Sequence, residues 1–261
     1  MQLSTEDTAK LLKAIKILEY PSFTAKTTKT VGNIFEKTLN ILPWNLSRSI
    51  TDISHIALQK SLESALFTLS SNKKIKSSHK THQALVGFSG AVGGVFGMAA
   101  LTVELPVSTT IMLRSIAQIA RENGENLNHP ETKLACLEVF ALGDNPTNNN
   151  TETGYYAIRS LLAKSLSEAA THLSSQSLAA KNSPALIKLL NAIATRFSIP
   201  VSEKFAAQSV PAVGAIGGAT VNLLFIRYFQ NIAQAHFSIR SLERKYSEAF
   251  IREQYKNNLI K

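Results

Sequence analysis

Residues 84–113 read "ALVGFSGAVGGVFGMAALTVELPVSTTIML", and how that stretch is read decides the fold. It is apolar and rich in glycine, and Glu104 is the sole formal charge between Thr81 and Leu113. Such a composition suits a catalytic elbow, a phosphate loop, a membrane segment or the close-packed centre of a helical bundle. Gly87-Phe88-Ser89-Gly90-Ala91 has the G-x-S-x-A form of a nucleophile elbow, but an elbow sits at the end of a strand in an α/β sheet. No alternation of strand and helix patterns surrounds Ser89, and no acid and histidine follow in recognisable loops. A phosphate loop needs a following Gly-Lys-Ser/Thr, whose lysine neutralises phosphate and whose hydroxyl holds magnesium; the stretch has neither.

Outward from this segment, almost every readable period is 3.6, and alternating β-branched runs are scarce, so the chain is predicted to be all-α. The first helix covers "STEDTAKLLKAIKILEY", capped by Ser4 or Thr5, with Leu11, Leu12, Ile15 and Leu18 on one face and Pro21 as its stop. A second is predicted in "TVGNIFEKTLNIL" and a third over about 50–70, followed by a basic connector, "NKKIKSSHK". Arg114 to Arg121 reads as an amphipathic helix closed by Gly124, and Pro130 to Leu142 as the next, with Pro130 in its first turn. "GDNPTNNNTETG" is a loop, and "YYAIRSLLAKSLSEAATHL" and "PALIKLLNAIATRFSI" are helices, the second ending before Pro200. A last helical segment starts at Ser202. The domain expectation is an N-terminal helix and linker at 1–29, a helical domain at 30–250, and a polar tail at 251–261.

Within the last segment, "PAVGAIGGATVNLLFIRYFQNIAQAHFSI" resembles "GAVGGVFGMAALTVELPVSTTIMLRSIAQIA": an A-V-G start, small residues four apart, a polar residue in the apolar run, and a downstream Ile-Ala-Gln. Gly90 with Gly94, Gly93 with Gly97, and Gly214 with Gly218 fall on single helix faces, where a missing side chain admits a neighbouring backbone. Each helical glycine costs about 1 kcal/mol relative to alanine, so packing has to compensate. The predicted architecture is a compact multi-helix bundle with two pseudo-repeated glycine-rich apolar helical segments that pack on each other. Both charge-poor stretches reach the roughly 20 residues needed to cross a bilayer. The interruptions at Glu104-Leu105-Pro106 and at Gln208, Pro211 and Asn222 favour a buried hairpin over a true span.

The 261 residues carry 28 Lys plus Arg against 18 Asp plus Glu, a formal charge of +10, which biases the surface toward anions. The polar start "MQLSTEDTAK" lacks the basic and apolar regions of a secretory signal. The single cysteine, Cys136, excludes an internal disulfide and fits a reducing compartment. Scattered histidines and no cysteine pair argue against a metal site, and no cofactor is expected. Aromatic residues do not interleave with the lysines, so nucleic acid is not an expected partner.

Glu104 is the candidate site residue. A carboxylate in an apolar run has to pair, bind a cation or take up a proton, and Arg114 and Arg227 are the candidate partners. Asn222 holds a comparable place in the second segment. His236, Arg240 and Arg244 recur every four residues and suit either a solvated face or reception of a lipid phosphate or acidic partner.

Three stretches resemble the EcsC protein family: "VGNIFEKTLNILPWNLSRSITDISHIALQKSLESAL", "GGVFGMAALTVELPVSTTIMLRSIAQIARENGENLNHPETKLACLEVFALG" and "VPAVGAIGGATVNLLFIRYFQNIAQAHFSIRSLERKY". Glu104-Leu105-Pro106 and the "ALG" of 141–143 are the most specific parts. The resemblance implies a mostly helical, membrane-associated accessory protein with a link to ABC-type transport, and it transfers no catalytic residues. The expected partner is an anionic membrane surface or a membrane-protein complex, on the cytoplasmic side. The alternatives are a peptidase-like hydrolase using Glu104, or a module binding a lipid or small molecule between the two repeats.

Overall fold

A computed structural model of the chain describes residues 2–19, 23, 44–68, 97–143, 154–174, 183–208 and 214–259. Among them are eight α-helices and no strand: α1 (Thr5–Glu19), α2 (Trp44–Thr68), α3 (Gly97–Glu122), α4 (Pro130–Glu138), α5 (Gly154–Ser174), α6 (Pro184–Gln208), α7 (Gly214–Tyr246) and α8 (Glu248–Leu259). A 3-10 turn, Val139–Ala141, continues α4. The all-α bundle is therefore as the periodicity predicts.

Helix ends follow local chemistry. Ser4 caps α1, its Oγ accepting from the Asp7 amide at 3.1 Å. Gly124 closes α3 at φ 82°, and the amides of Gly124 and Glu125 return to the carbonyls of Arg121 and Ala120, both at 3.0 Å. Ser183 caps α6 through the Leu186 amide at 3.3 Å.

Two expectations about prolines and polar ends are corrected. The helix through "PALIKLLNAIATRFSI" does not stop before Pro200, and no helix starts at Ser202, because α6 runs unbroken to Gln208. A proline removes one amide, and nearby hydroxyls take up carbonyls around the defect: Ser198 donates to Thr195 O and Ser202 to Ser198 O, each at 2.8 Å. Pro106 sits inside α3 in the same way, with Thr110 Oγ1 donating to its carbonyl at 2.8 Å. Residues 251–259, read as a polar tail, are helical and bury Ile251 and Tyr255.

The long helix α7 forms the axis of the bundle, packing against α1, α3, α6, α8 and the 3-10 turn. Its Phe225 and Phe229 meet edge to face at 5.1 Å between centroids, and Phe140, Phe197 and Phe23 close around them. α3 runs parallel to α7, as the pairs Glu104 with Asn222 and Ser115 with Gln230 show. α2 runs parallel to α3 in turn, with Ser61 meeting Thr110 at 3.3 Å and Arg114 donating to Ser64 at 3.4 Å. The helices of the two look-alike segments are thus neighbours. Gly90, Gly93 and Gly94 lie outside the described residues, and so do the side-chain surroundings of Gly97, Gly214 and Gly218, which occupy helical positions in α3 and α7. The predicted helix in "TVGNIFEKTLNIL" and the loop at 144–153 also lie outside the described residues. Among the described residues, no helix is long and apolar enough to cross a membrane.

Candidate functional site

Glu104 lies near the start of α3, where that helix faces α6 and α7. Its carboxylate accepts two hydrogen bonds from the Lys204 ammonium, 2.9 Å to Oε1 and 2.7 Å to Oε2, and a third from Asn222 Nδ2 at 3.2 Å. Gln208 donates to Asn222 Oδ1 at 3.4 Å. Lys204 is 0% exposed, and its Nζ also stands 5.0 Å from the Phe225 ring centroid. Burying two charges costs several kcal/mol per ion, which Coulomb attraction offsets only where the remaining donors and acceptors are also satisfied. Here Asn222 adds a bond to the carboxylate and the Phe225 ring faces the ammonium, so the arrangement joins three helices at one point.

The partner is not one of those expected. Arg114 turns to Ser64 on α2, and Arg227 is exposed on α7. Asn222 does join Glu104, so the comparable polar positions of the two segments meet. Lys204 was missed although it stands one residue before the charge-free run from Phe205 to Ile226, a position where a lysine has little water to reach.

The "ALG" motif docks on the same helix two turns further along. Tyr228 donates its hydroxyl to the Gly143 carbonyl. A Cβ on Gly143 would stand 3.0 Å from Phe229 Cε1, so the close approach of the turn to α7 favours glycine, and a larger residue would have to displace the ring. The two most specific motifs of the resemblance therefore converge on residues 222–229 of α7.

The stripe of His236, Arg240 and Arg244 runs from the core to the surface: His236 is buried, Arg240 is partly buried, and Arg244 is exposed. Arg240 grips Glu125 through two bonds, 2.8 Å from Nε and 3.2 Å from Nη2, and Arg244 adds a bond to Glu125 and one to Asn123 O at 2.5 Å. Burial alone would raise the Glu125 carboxyl, and the two guanidiniums outweigh it and hold it below the usual range. The 123–129 connection after α3 is thereby pinned to α7.

His236 is fully buried, and Tyr155 Oη lies 3.0 Å from its Nδ1. Its Nε2 stands 3.9 Å from the carboxyl of Glu138 and makes no hydrogen bond. Burial, reinforced by Arg159 and Arg240, drives His236 well below its ordinary value, so the ring is neutral. Burial likewise pushes the Glu138 carboxyl up. Beside them Arg159 forms a two-pronged pair with Glu243, at 2.6 and 3.1 Å, which Tyr156 joins at 3.0 Å. Glu19, at the end of α1, accepts from the amides of Gly154 and Tyr155 at 3.1 and 3.2 Å and from Tyr255 Oη at 2.8 Å. A carboxylate at the first turn of α5 satisfies free amides and matches the helix dipole. None of Glu19, Glu125, Glu138, Tyr155, Arg159 and Glu243 was singled out from sequence, because each acquires its role from a partner far away in the chain.

Among the described residues, no group of His, Cys, Asp and Glu side chains could hold a metal ion. Cys136 is buried, and burial pushes its thiol far up, which leaves it inert as a nucleophile.

An all-α bundle in which buried polar and glycine contacts lock helices on a central one is the class that these features define. The model of the EcsC protein family matches residues 6–242, nearly the whole chain, and the chain belongs to that family. No curated protein and no solved structure matches it.

Proposed function

We propose that the chain is a non-enzymatic accessory protein that associates peripherally with the cytoplasmic face of an anionic membrane, or with a membrane-protein complex such as an ABC-type transporter. The observation that carries this reading is how the buried charges are disposed. Glu104 is matched by Lys204, Glu125 by Arg240 and Arg244, and Glu243 by Arg159. Each of these three carboxylates is answered by at least one cation, so most of the +10 surplus lies outside these pairs and biases the protein toward acidic lipid.

A hydrolase using Glu104 has less support. Its carboxylate is occupied by an ammonium and an amide, and no histidine contacts it among the described residues.

Vesicle flotation tests the reading. Purified protein is expected to float with phosphatidylglycerol-containing vesicles at low salt, to stay behind with pure phosphatidylcholine, and to bind less as salt rises and the Debye length shrinks. Failure to float with anionic vesicles at low salt would overturn direct association with lipid.

A further inference from the structure

α2 and α3 lie side by side and leave a groove of about 510 Å³ between them, open to solvent. Its apolar lining comes from Val103, Pro106, Val107 and Ile111 of α3, and Lys60 of α2 and Arg114 of α3 stand on its walls. Val103 is 71% exposed and Val107 48%, adjacent turns of one helix, and Ile56 of α2 adds another exposed aliphatic at 46%. Elsewhere on α3 the apolar positions point inward: Leu101, Leu105, Met112, Leu113 and Ile116 are all buried. The valine ridge is thus a distinct second apolar face and not the edge of the core.

No acid lines this groove. Among the described residues Lys60 has no carboxylate partner, and Arg114 bonds a neutral hydroxyl and no acid. An apolar floor between two cations that no internal acid claims is complementary to a molecule that is apolar in the middle and anionic at its head. The sequence joining the two walls has the same pairing of chemistries, with Lys73, Lys74, Lys76 and Lys80 followed by a stretch without formal charge from Thr81 to Val103.

We propose that the groove between α2 and α3 is the membrane-docking surface, in which Val103 and Val107 enter the acyl region of an anionic lipid leaflet while Lys60 and Arg114 hold headgroup phosphates. The proposal rests on the peripheral reading given above and assigns that reading its residues. An exposed valine gains most of its transfer free energy on entering hydrocarbon, and a cation at an anionic surface gains in proportion to the local potential.

The test uses full-length protein carrying Val103→Cys and labelled with an environment-sensitive fluorophore, together with a Lys164→Cys control. Buried Cys136 keeps labelling selective. Lys164 sits 81% exposed on α5, a helix that packs on α1, α4 and α6 and not on the groove walls. Anionic vesicles are expected to shift the emission of the label at position 103 to the blue and to leave the label at 164 unchanged. In flotation, V103D/V107D is expected to weaken partitioning about tenfold or more, and Lys60→Gln and Arg114→Gln about fivefold each, with circular dichroism unaltered. Wild type that fails to float overturns direct association with lipid and the groove with it. Wild type that floats while the variants float equally well and the label at 103 stays unshifted overturns the groove alone. An introduced thiol at 103 that resists labelling, or a blue shift before vesicles are added, also overturns it. Loss of that protection on dilution would then indicate a second copy in the groove, and concentration independence a cover from the same chain.

Discussion

α3 and α7 arise from look-alike stretches of sequence and lie parallel in the bundle, yet they have different neighbours. α7 is enclosed over most of its length, with Phe225, Phe229, Ile232, Ala233 and Phe237 at no more than 1% exposure. α3 buries one face against α7 and turns Val103 and Val107 to solvent. The large apolar residues of α7 therefore enter the core, whereas α3 also carries two on a surface ridge. The difference lies in what covers each: α7 packs on α1, α3, α6, α8 and the 3-10 turn, whereas α3 packs on α2, α4 and α7 and leaves Val103 and Val107 exposed.

Substitutions sharpen this contrast, and the largest effects belong to the junction of the two helices and to α7. Lys204→Ala strands a buried carboxylate and is expected to cost about 3–5 kcal/mol in urea unfolding. The pair Glu104→Gln with Lys204→Met should recover most of that loss, since a well-packed neutral replacement of a buried ion pair is often close to neutral. Phe229→Ala is expected to cost about 3–5 kcal/mol, as large aromatic truncations in a filled core do. Gly143→Ala forces the 3.0 Å contact with Phe229 and should cost about 1–3 kcal/mol. At the other extreme, Val103→Ala should change stability by no more than about 0.5 kcal/mol, the usual range for an exposed position. A core-sized loss at Val103 would erase the contrast.

Smaller effects come from pH. The folded state keeps His236 neutral, whereas the unfolded chain binds a proton below its ordinary value of about 6.5. Stability from this residue is present above that value and falls as the solution is acidified through it, and His236→Gln should flatten that part of the profile. Glu138 has the opposite sign: the fold retains a proton that the unfolded chain releases above the ordinary value of 4.5. Its contribution falls as pH rises past 4.5 toward the raised value, so Glu138→Gln should raise the denaturation midpoint at neutral pH and lose the advantage in acid. Parallel wild-type and Glu138→Gln profiles would show that the buried carboxyl is ionised in the fold.

Helix content and much of the core were legible because 3.6-residue periodicity is a local signal. Leu11, Ile15 and Leu18 are buried as the stripe in α1 predicts, although Leu12, assigned to the same face, is about half exposed. Pro200 misled, since the rule that proline ends a helix takes no account of serine hydroxyls that engage the freed region. Glu104 stood out because a lone charge in an apolar run demands an explanation. Its partner did not, because Lys204 is 100 residues away and its neighbours give no hint of α3. The stripe of His236, Arg240 and Arg244 was legible as a four-residue recurrence, but only the fold shows that Glu125 engages the two arginines while His236 is buried.

The central claim is that buried charges hold the bundle together while the valine ridge and its cations meet the membrane. The direct measurement is anionic-vesicle flotation of the Glu104→Gln, Lys204→Met double variant beside V103D/V107D, both verified as folded by circular dichroism. The division of roles predicts that the first floats like wild type and the second does not. Loss of flotation in the folded buried-pair variant, with the ridge variant unaffected, would contradict it and make Glu104 the functional centre.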